Sequence, residues 1–141
     1  MGSRGQALKT GGFIRHDYHT IMRDGNIRFV VQNDTIKATK VPEVSNSPNV
    51  VYATFNERGI LKAISFYNSR RVKYKEIDFK THNGMNPHVH TLNPKTGLRN
   101  DKLAEVRKPN LKEQDYIDKV QSFCKKHNLN EKTNRIGKEN E

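Results

Sequence analysis

Between Asn26 and His90 the chain runs through short stretches rich in β-branched and aromatic residues, each closed by Asn, Asp, Gly, Pro or Ser. That rhythm commits the middle of the protein to a sheet whose strands are joined mostly by tight turns. Residues 26–32 (NIRFVVQ) read as a strand, Asn33-Asp34 as a turn, and residues 36–41 as the hairpin partner of that strand. Residues 42–49 hold two prolines, two serines and two asparagines and form a loop. Strands over 50–55 and 60–67 follow, joined by Asn56-Glu57-Arg58-Gly59, a hairpin loop ending in glycine. A further strand covers 70–79. There Val72 and Tyr74 share one face while Ile77 and Phe79 share the other, so a bulge or bend is expected near Lys75-Glu76. After the strand His88-Val89-His90, the turn residues of 93–100 return the chain from Leu98 onward as an edge segment.

The clearest helix spans 111–127. Asn110 is a good N-cap, and Glu113 three residues later completes an approximate capping box. Tyr116, Ile117, Val120, Phe123 and Cys124 make its apolar stripe, and Lys125-Lys126-His127 suit the negative end of its dipole, so Cys124 reads as a core residue. Upstream, Phe13, Ile14, Tyr18, Ile21 and Met22 recur mostly every three or four residues, which predicts a short helix ended by Asp24-Gly25 and carrying His16 and His19. Residues 1–12 read as a flexible basic arm and 128–141 as a polar flexible tail, leaving 13–127 as one domain. The fold class expected is α+β: a predominantly antiparallel sheet of about five strands with the C-terminal helix packed on it.

Only 33% of the residues are hydrophobic, so the core is small. Lys plus Arg number 26 against 15 Asp plus Glu, a formal net charge of +11 that favours a polyanionic partner such as RNA or DNA. One cysteine excludes an intrachain disulfide framework and a cysteine-rich zinc site. No apolar run approaches the ~18 residues of a membrane span, and no signal-peptide core is present, so a cytoplasmic protein with no membrane partner is expected.

The chemistry is concentrated in residues 72–92 (VKYKEIDFKTHNGMNPHVHTL). In a strand His88 and His90 project from one side, close enough to address one phosphate or one metal ion. Three readings of this stretch compete. In metal-free RNA cleavage, which requires no cofactor, His88 and His90 act as acid and base with His82 as a third candidate. There Asp78 orients an imidazole and Arg71 or Lys73 contacts phosphate. In metal-assisted phosphodiester hydrolysis, Asp78, His82, His88 and His90 are ligands for zinc or manganese. In the third reading the histidines cap the sheet or bind a partner. The HNH nuclease pattern fails, because no helix with a following histidine comes after His90. Around the histidines a basic ribbon, with Lys62, Arg70, Arg71, Lys73, Lys75 and Lys80 interleaved with Tyr67 and Tyr74, is suited to holding phosphates and stacking bases.

The opening Gly2-Ser3-Arg4-Gly5, the block Lys75-Glu76-Ile77-Asp78-Phe79, His82 and Pro87-His88-Val89-His90 together resemble small proteins of phages and prophages of Gram-positive bacteria. Those proteins are encoded near minor head genes, and similar blocks occur in toxin-like C-terminal domains. The likeness covers roughly residues 50 to 92 plus the extreme N-terminus. It implies a mobile-element origin and a compact nuclease or toxin fold of the barnase-like kind, in a bacterial host cytoplasm or on the virion, with a phage or host protein as a further partner. A barnase-like domain places its helix before the sheet, whereas the strongest helix here is last. The alternative that the resemblance leaves open is a non-enzymatic nucleic-acid- or virion-binding accessory protein.

Overall fold

A computed structural model of the chain describes residues 17–34, 36–81, 84–97 and 106–129. The ends expected to be flexible, 1–12 and most of 128–141, lie outside the described residues, as does the first part of the expected N-terminal helix. Seven strands form one sheet in chain order: β1 (Tyr18–Asp24), β2 (Ile27–Gln32), β3 (Val51–Phe55), β4 (Leu61–Tyr67), β5 (Lys73–Asp78), β6 (His88–Thr91) and β7 (Val106–Arg107). Helix α1 (Leu111–Lys126) follows. All neighbours pair antiparallel except β2 and β3, which run parallel. The fold is therefore α+β and mostly antiparallel, with seven strands in place of about five.

Two expectations are overturned, and both bear on how the sheet gains strands. Residues 18–24 form a strand instead of continuing a helix. The spacing of Tyr18, Ile21 and Met22 suits a helix, but a partner strand lies one tight turn away, with Gly25 supplying the positive φ of 62°. A bulge between Thr20 and Met22 keeps Met22 against the core and leaves Ile21 39% exposed. The second correction concerns 36–41, which is no hairpin strand. Parallel β3 occupies that edge of β2. The Asp34 carboxylate instead turns the chain by accepting from the amides of Ile36 and Lys37 (3.0 and 3.4 Å), and Ile36 is 92% exposed.

The chain between β2 and β3 thus becomes a crossover, as a parallel pair requires, and it lies over one face of the sheet. Hydrogen bonds and one β-bridge pin it there. The Tyr67 hydroxyl donates to the Pro42 carbonyl, and the Asn46 amide donates to the Tyr52 hydroxyl (2.9 Å). The Thr39 amide and hydroxyl donate to Glu57 (3.1 and 3.0 Å), and Val44 bridges to Val72. Beneath it Val30, Val50, Tyr52 and Tyr67 pack into a small apolar cluster.

The opposite face carries the main core. Ile27, Phe29, Val51, Ala53, Phe55, Ile64, Phe66, Ile77 and Val89 meet Ile117, Val120 and Cys124 of α1. Phe123 stacks on Phe29 at 4.5 Å, and Tyr116 meets Phe66 edge-on at 5.1 Å. The helix begins where expected, with the full Asn110–Glu113 capping box. The Glu113 carboxylate also takes two bonds from the Arg107 guanidinium (both 2.8 Å) and one ion pair from Lys75 (3.0 Å), tying β5 and β7 to the helix start. The expected bulge in β5 falls one residue earlier: Phe66 pairs with Lys75 and Tyr67 with Lys73, so Tyr74 is the extra residue.

Burial alone would push the Glu113 carboxyl up, but the bonds from Arg107, the Asn110 amide and Lys75 hold it down at about 2. A carboxylate depressed in the folded state stabilises the fold above its unfolded pKa. That contribution is lost as pH falls from about 4.5 through about 2. Glu113→Gln should therefore lose about 2 kcal/mol at neutral pH and show a flatter stability profile below about pH 4.5 in acid denaturation followed by circular dichroism. Tyr67→Phe, which frees the crossover from its hydroxyl anchor, should cost about 1 to 2 kcal/mol in urea unfolding.

Candidate metal centre

The pairing of β5 with β6 builds the site. Asp78 lies opposite His88 and Glu76 opposite His90, while Ile77 opposes Val89. Because strand side chains alternate, Ile77 and Val89 enter the helix-side core, and the four polar residues share the face under the crossover. His88 and His90 are buried there, with 0% and 6% of their surfaces exposed.

Three ligand atoms converge. His88 Nε2 lies 3.1 Å from His90 Nε2, and the Asp78 Oδ2 lies 3.5 and 3.4 Å from those nitrogens. Asp78, His88 and His90 are the one such group of potential metal ligands among the described residues. The other ring nitrogen of His88 faces the Lys80 carbonyl at 2.8 Å. A carbonyl only accepts, so His88 Nδ1 carries the proton and the lone pair of neutral His88 sits on Nε2, facing the other two ligands.

Around the triangle lies a partly charged shell. The Lys73 ammonium, on a residue only 8% exposed, meets Glu76 at 2.6 Å. The Asp78 carboxyl is pushed up to about 8, first by burial, then by its hydrogen bond to Glu76 and that group's negative charge, against the opposing ammoniums of Lys73 and Lys62. Glu76 is held low: burial is outweighed by the bond from Asp78 and by Lys73. A dication at the triangle would oppose the rise at Asp78 by favouring its charged form.

Asp78, Glu76 and Lys73 open onto a cleft at the end of the sheet where β3 leaves, β4 enters and β5 ends. Lys40, Arg58, Lys62 and Lys80 line it as well, with Glu43 as a further acid. His88 and His90 sit behind Asp78.

The structure thus brings together Asp78, His88 and His90 from the residues singled out in the sequence, and draws Lys73 in beside them. His82 lies outside the described residues. Lys75 and Tyr74 are on the helix side, Lys75 against Glu113 and Tyr74 beside Phe66. Arg70 and Arg71 occupy the β4–β5 turn, at the far end of β5 from Asp78. His19 is on β1 and bonded to Asn33, away from the cluster. Glu76 is legible in the sequence as an acid two residues before Asp78 on one strand. Lys40 and Arg58 carry no local signal, since the crossover and the β3–β4 loop bring them in through tertiary structure alone. No protein-family model, curated protein or solved structure matches the chain.

In metal-stripped protein at neutral pH, long-range ¹H–¹⁵N spectra should show His88 as the Nδ1–H tautomer. An Nε2–H pattern would break the link between the Lys80 carbonyl and the direction of the ligand lone pair.

Proposed function

We propose that Asp78, His88 and His90 hold a divalent transition-metal ion, and that the protein is a small phage-type nuclease that uses this centre to hydrolyse phosphodiester bonds. The observation that carries the reading is the triangle of 3.1, 3.4 and 3.5 Å. Tetrahedral ligands at about 2.0 to 2.1 Å from zinc stand about 3.3 Å apart, so these atoms already have the spacing of three zinc ligands. Two imidazoles and one carboxylate form a donor set suited to zinc and to other first-row ions.

The same distance argues against the two histidines working as an acid and base on either side of a phosphate. A phosphoryl group between them needs separate hydrogen bonds to different oxygens, and 3.1 Å leaves room for a proton or an ion only. When bound, the ion supplies Lewis-acid polarisation of a phosphoryl group and activation of water at neutral pH. The chain supplies the rest. Lys80 fixes the His88 ring, and Glu76 orients the Asp78 carboxyl. Lys40, Arg58, Lys62 and Lys73 present cations toward a phosphate entering the cleft.

Calorimetric titration of stripped protein with zinc or manganese should give one ion per chain. His90→Ala and Asp78→Ala should weaken uptake at least about 100-fold while keeping the circular dichroism of the wild type. Cleavage of single-stranded RNA or DNA should disappear in the same variants and on adding a chelator. Absence of metal uptake by the wild type would sink the centre. Uptake without turnover on either substrate would leave a non-enzymatic metal-containing nucleic-acid or virion-binding protein.

A further inference from the structure

At the end of the sheet away from the cleft, four arginines gather at two turns. Arg23 and Arg28 are directly opposed across β1 and β2, next to the Gly25 turn. Like charges so placed destabilise a strand pair unless an anion sits between them. Arg28 alternates with the helix-side Ile27 and Phe29 and reaches the Ser47 hydroxyl at 3.3 Å, so it lies on the crossover face, and Arg23, its cross-strand partner, shares that face. Arg70 and Arg71 stand on the β4–β5 turn at this same end. Asn68 shapes that turn by accepting from the amides of Arg70 and Val72 (2.8 and 3.0 Å). Arg71 is held there at a φ of 69°, a left-handed conformation unusual for a residue with a side chain. The turn is linked to its neighbours. The Asn49 backbone amide donates to the Asn68 carbonyl (3.1 Å), and the Asn68 side-chain amide donates to the Pro94 carbonyl (2.8 Å), which brings Lys95 to the same rim. None of the four arginines forms an ion pair among the described residues, in contrast to Arg107, which is engaged by Glu113.

We infer that this end of the sheet is a second, metal-independent binding surface for the phosphate backbone of a nucleic-acid strand. From β2 to β5 is three strand spacings, about 14 Å, a width spanned by several consecutive phosphates of an extended strand. Guanidinium forks match phosphate oxygens in pairs, and arginine is the cation suited to that geometry. An anionic membrane fits less well, because the large exposed apolar residues, Ile21, Ile36, Tyr74 and Leu111, lie outside these turns and offer nothing to insert. The inference shares the nucleic-acid partner with the proposed nuclease but not the metal, so the two fail separately.

The test is equilibrium binding in EDTA, followed by fluorescence anisotropy over a salt series, with a labelled single-stranded RNA and a duplex DNA of equal length. Arg23→Gln, Arg70→Gln and Arg71→Asn are combined in one variant. The first two side chains are exposed, and Asn tolerates the conformation at position 71. This variant should bind at least about ten-fold more weakly at about 0.15 M salt. Its logarithmic salt dependence should be shallower by about two, since each single-strand phosphate that the protein no longer neutralises lowers the slope by about 0.7. Zinc affinity should stay within about two-fold, and His90→Ala should leave strand binding intact in EDTA. A control with Lys112→Gln, Lys119→Gln and Lys125→Gln removes equal charge from the outer face of the helix and should bind like the wild type. Three results would each overturn the surface: arginine-variant binding equal to wild type, an equal loss in the helix control, or wild-type binding to phosphatidylserine vesicles but to neither nucleic acid. Preference between RNA and duplex DNA then identifies the natural strand.

Discussion

The antiparallel register of β5 on β6 is the constraint on which the remainder rests. Setting Ile77 against Val89 buries both beneath the helix, and the same register sets Glu76, Asp78, His88 and His90 on the other face. A slip of β6 by one residue would turn His88 and His90 into the apolar layer and Val89 out of it, burying polar rings without their partners. The core therefore fixes the spacing of the ligand triangle without help from the ligands themselves. A site held this way is preorganised by packing, which is what a coordination sphere with narrow distance tolerances requires.

The crossover turns those four residues from surface groups into a buried polar layer. It exists because β2 and β3 are parallel, and it stays closed through the Tyr67, Tyr52 and Glu57 bonds. Glu76 and Asp78 stand together beside one buried ammonium, Lys73, with Lys62 as a further opposing cation. Burial and Glu76 penalise the charged form of Asp78, and that penalty is relieved by retaining a proton, the direction in which Asp78 is pushed, or by a cation beside it. The push on Asp78 and the ligand triangle meet at the same carboxylate.

Much of this architecture is legible in the sequence. The capping box, the apolar stripe of 111–127, the β3–β4 hairpin and the two-residue spacing of His88 and His90 are local patterns, and each is realised locally. Local patterns mislead where a tertiary partner outweighs a local preference. Residues 18–24 carry a helical spacing but gain a strand neighbour, and 36–41 carry strand residues but find the edge of β2 already taken. The site divides in the same way. Its ligands lie on adjacent strands of short sequence separation and are visible. The Glu113 clamp that removes Lys75 from any nucleic-acid surface joins β5 to the helix across two intervening strands, and nothing in the neighbourhood of either residue announces it.

Where the positive charge goes matters more than its total. The chain carries a net +11, yet two cations on the helix side, Lys75 and Arg107, are engaged by the Glu113 carboxylate. Among the described residues, cations gather at both ends of the sheet, Lys40, Arg58, Lys62 and Lys80 around the cleft and Arg23, Arg28, Arg70 and Arg71 at the opposite turns. A field divided in this way attracts a polyanion to both ends of one face and leaves the helix face mixed in sign. The cleft cations border the buried ligands, and the four arginines of the opposite turns do not. Ammonium groups near a reacting phosphate neutralise charge without fixing its orientation, whereas guanidinium forks hold a phosphate in a set direction. On the proposed reading, the mostly lysine-lined cleft suits charge neutralisation and the four arginines suit holding a phosphate strand.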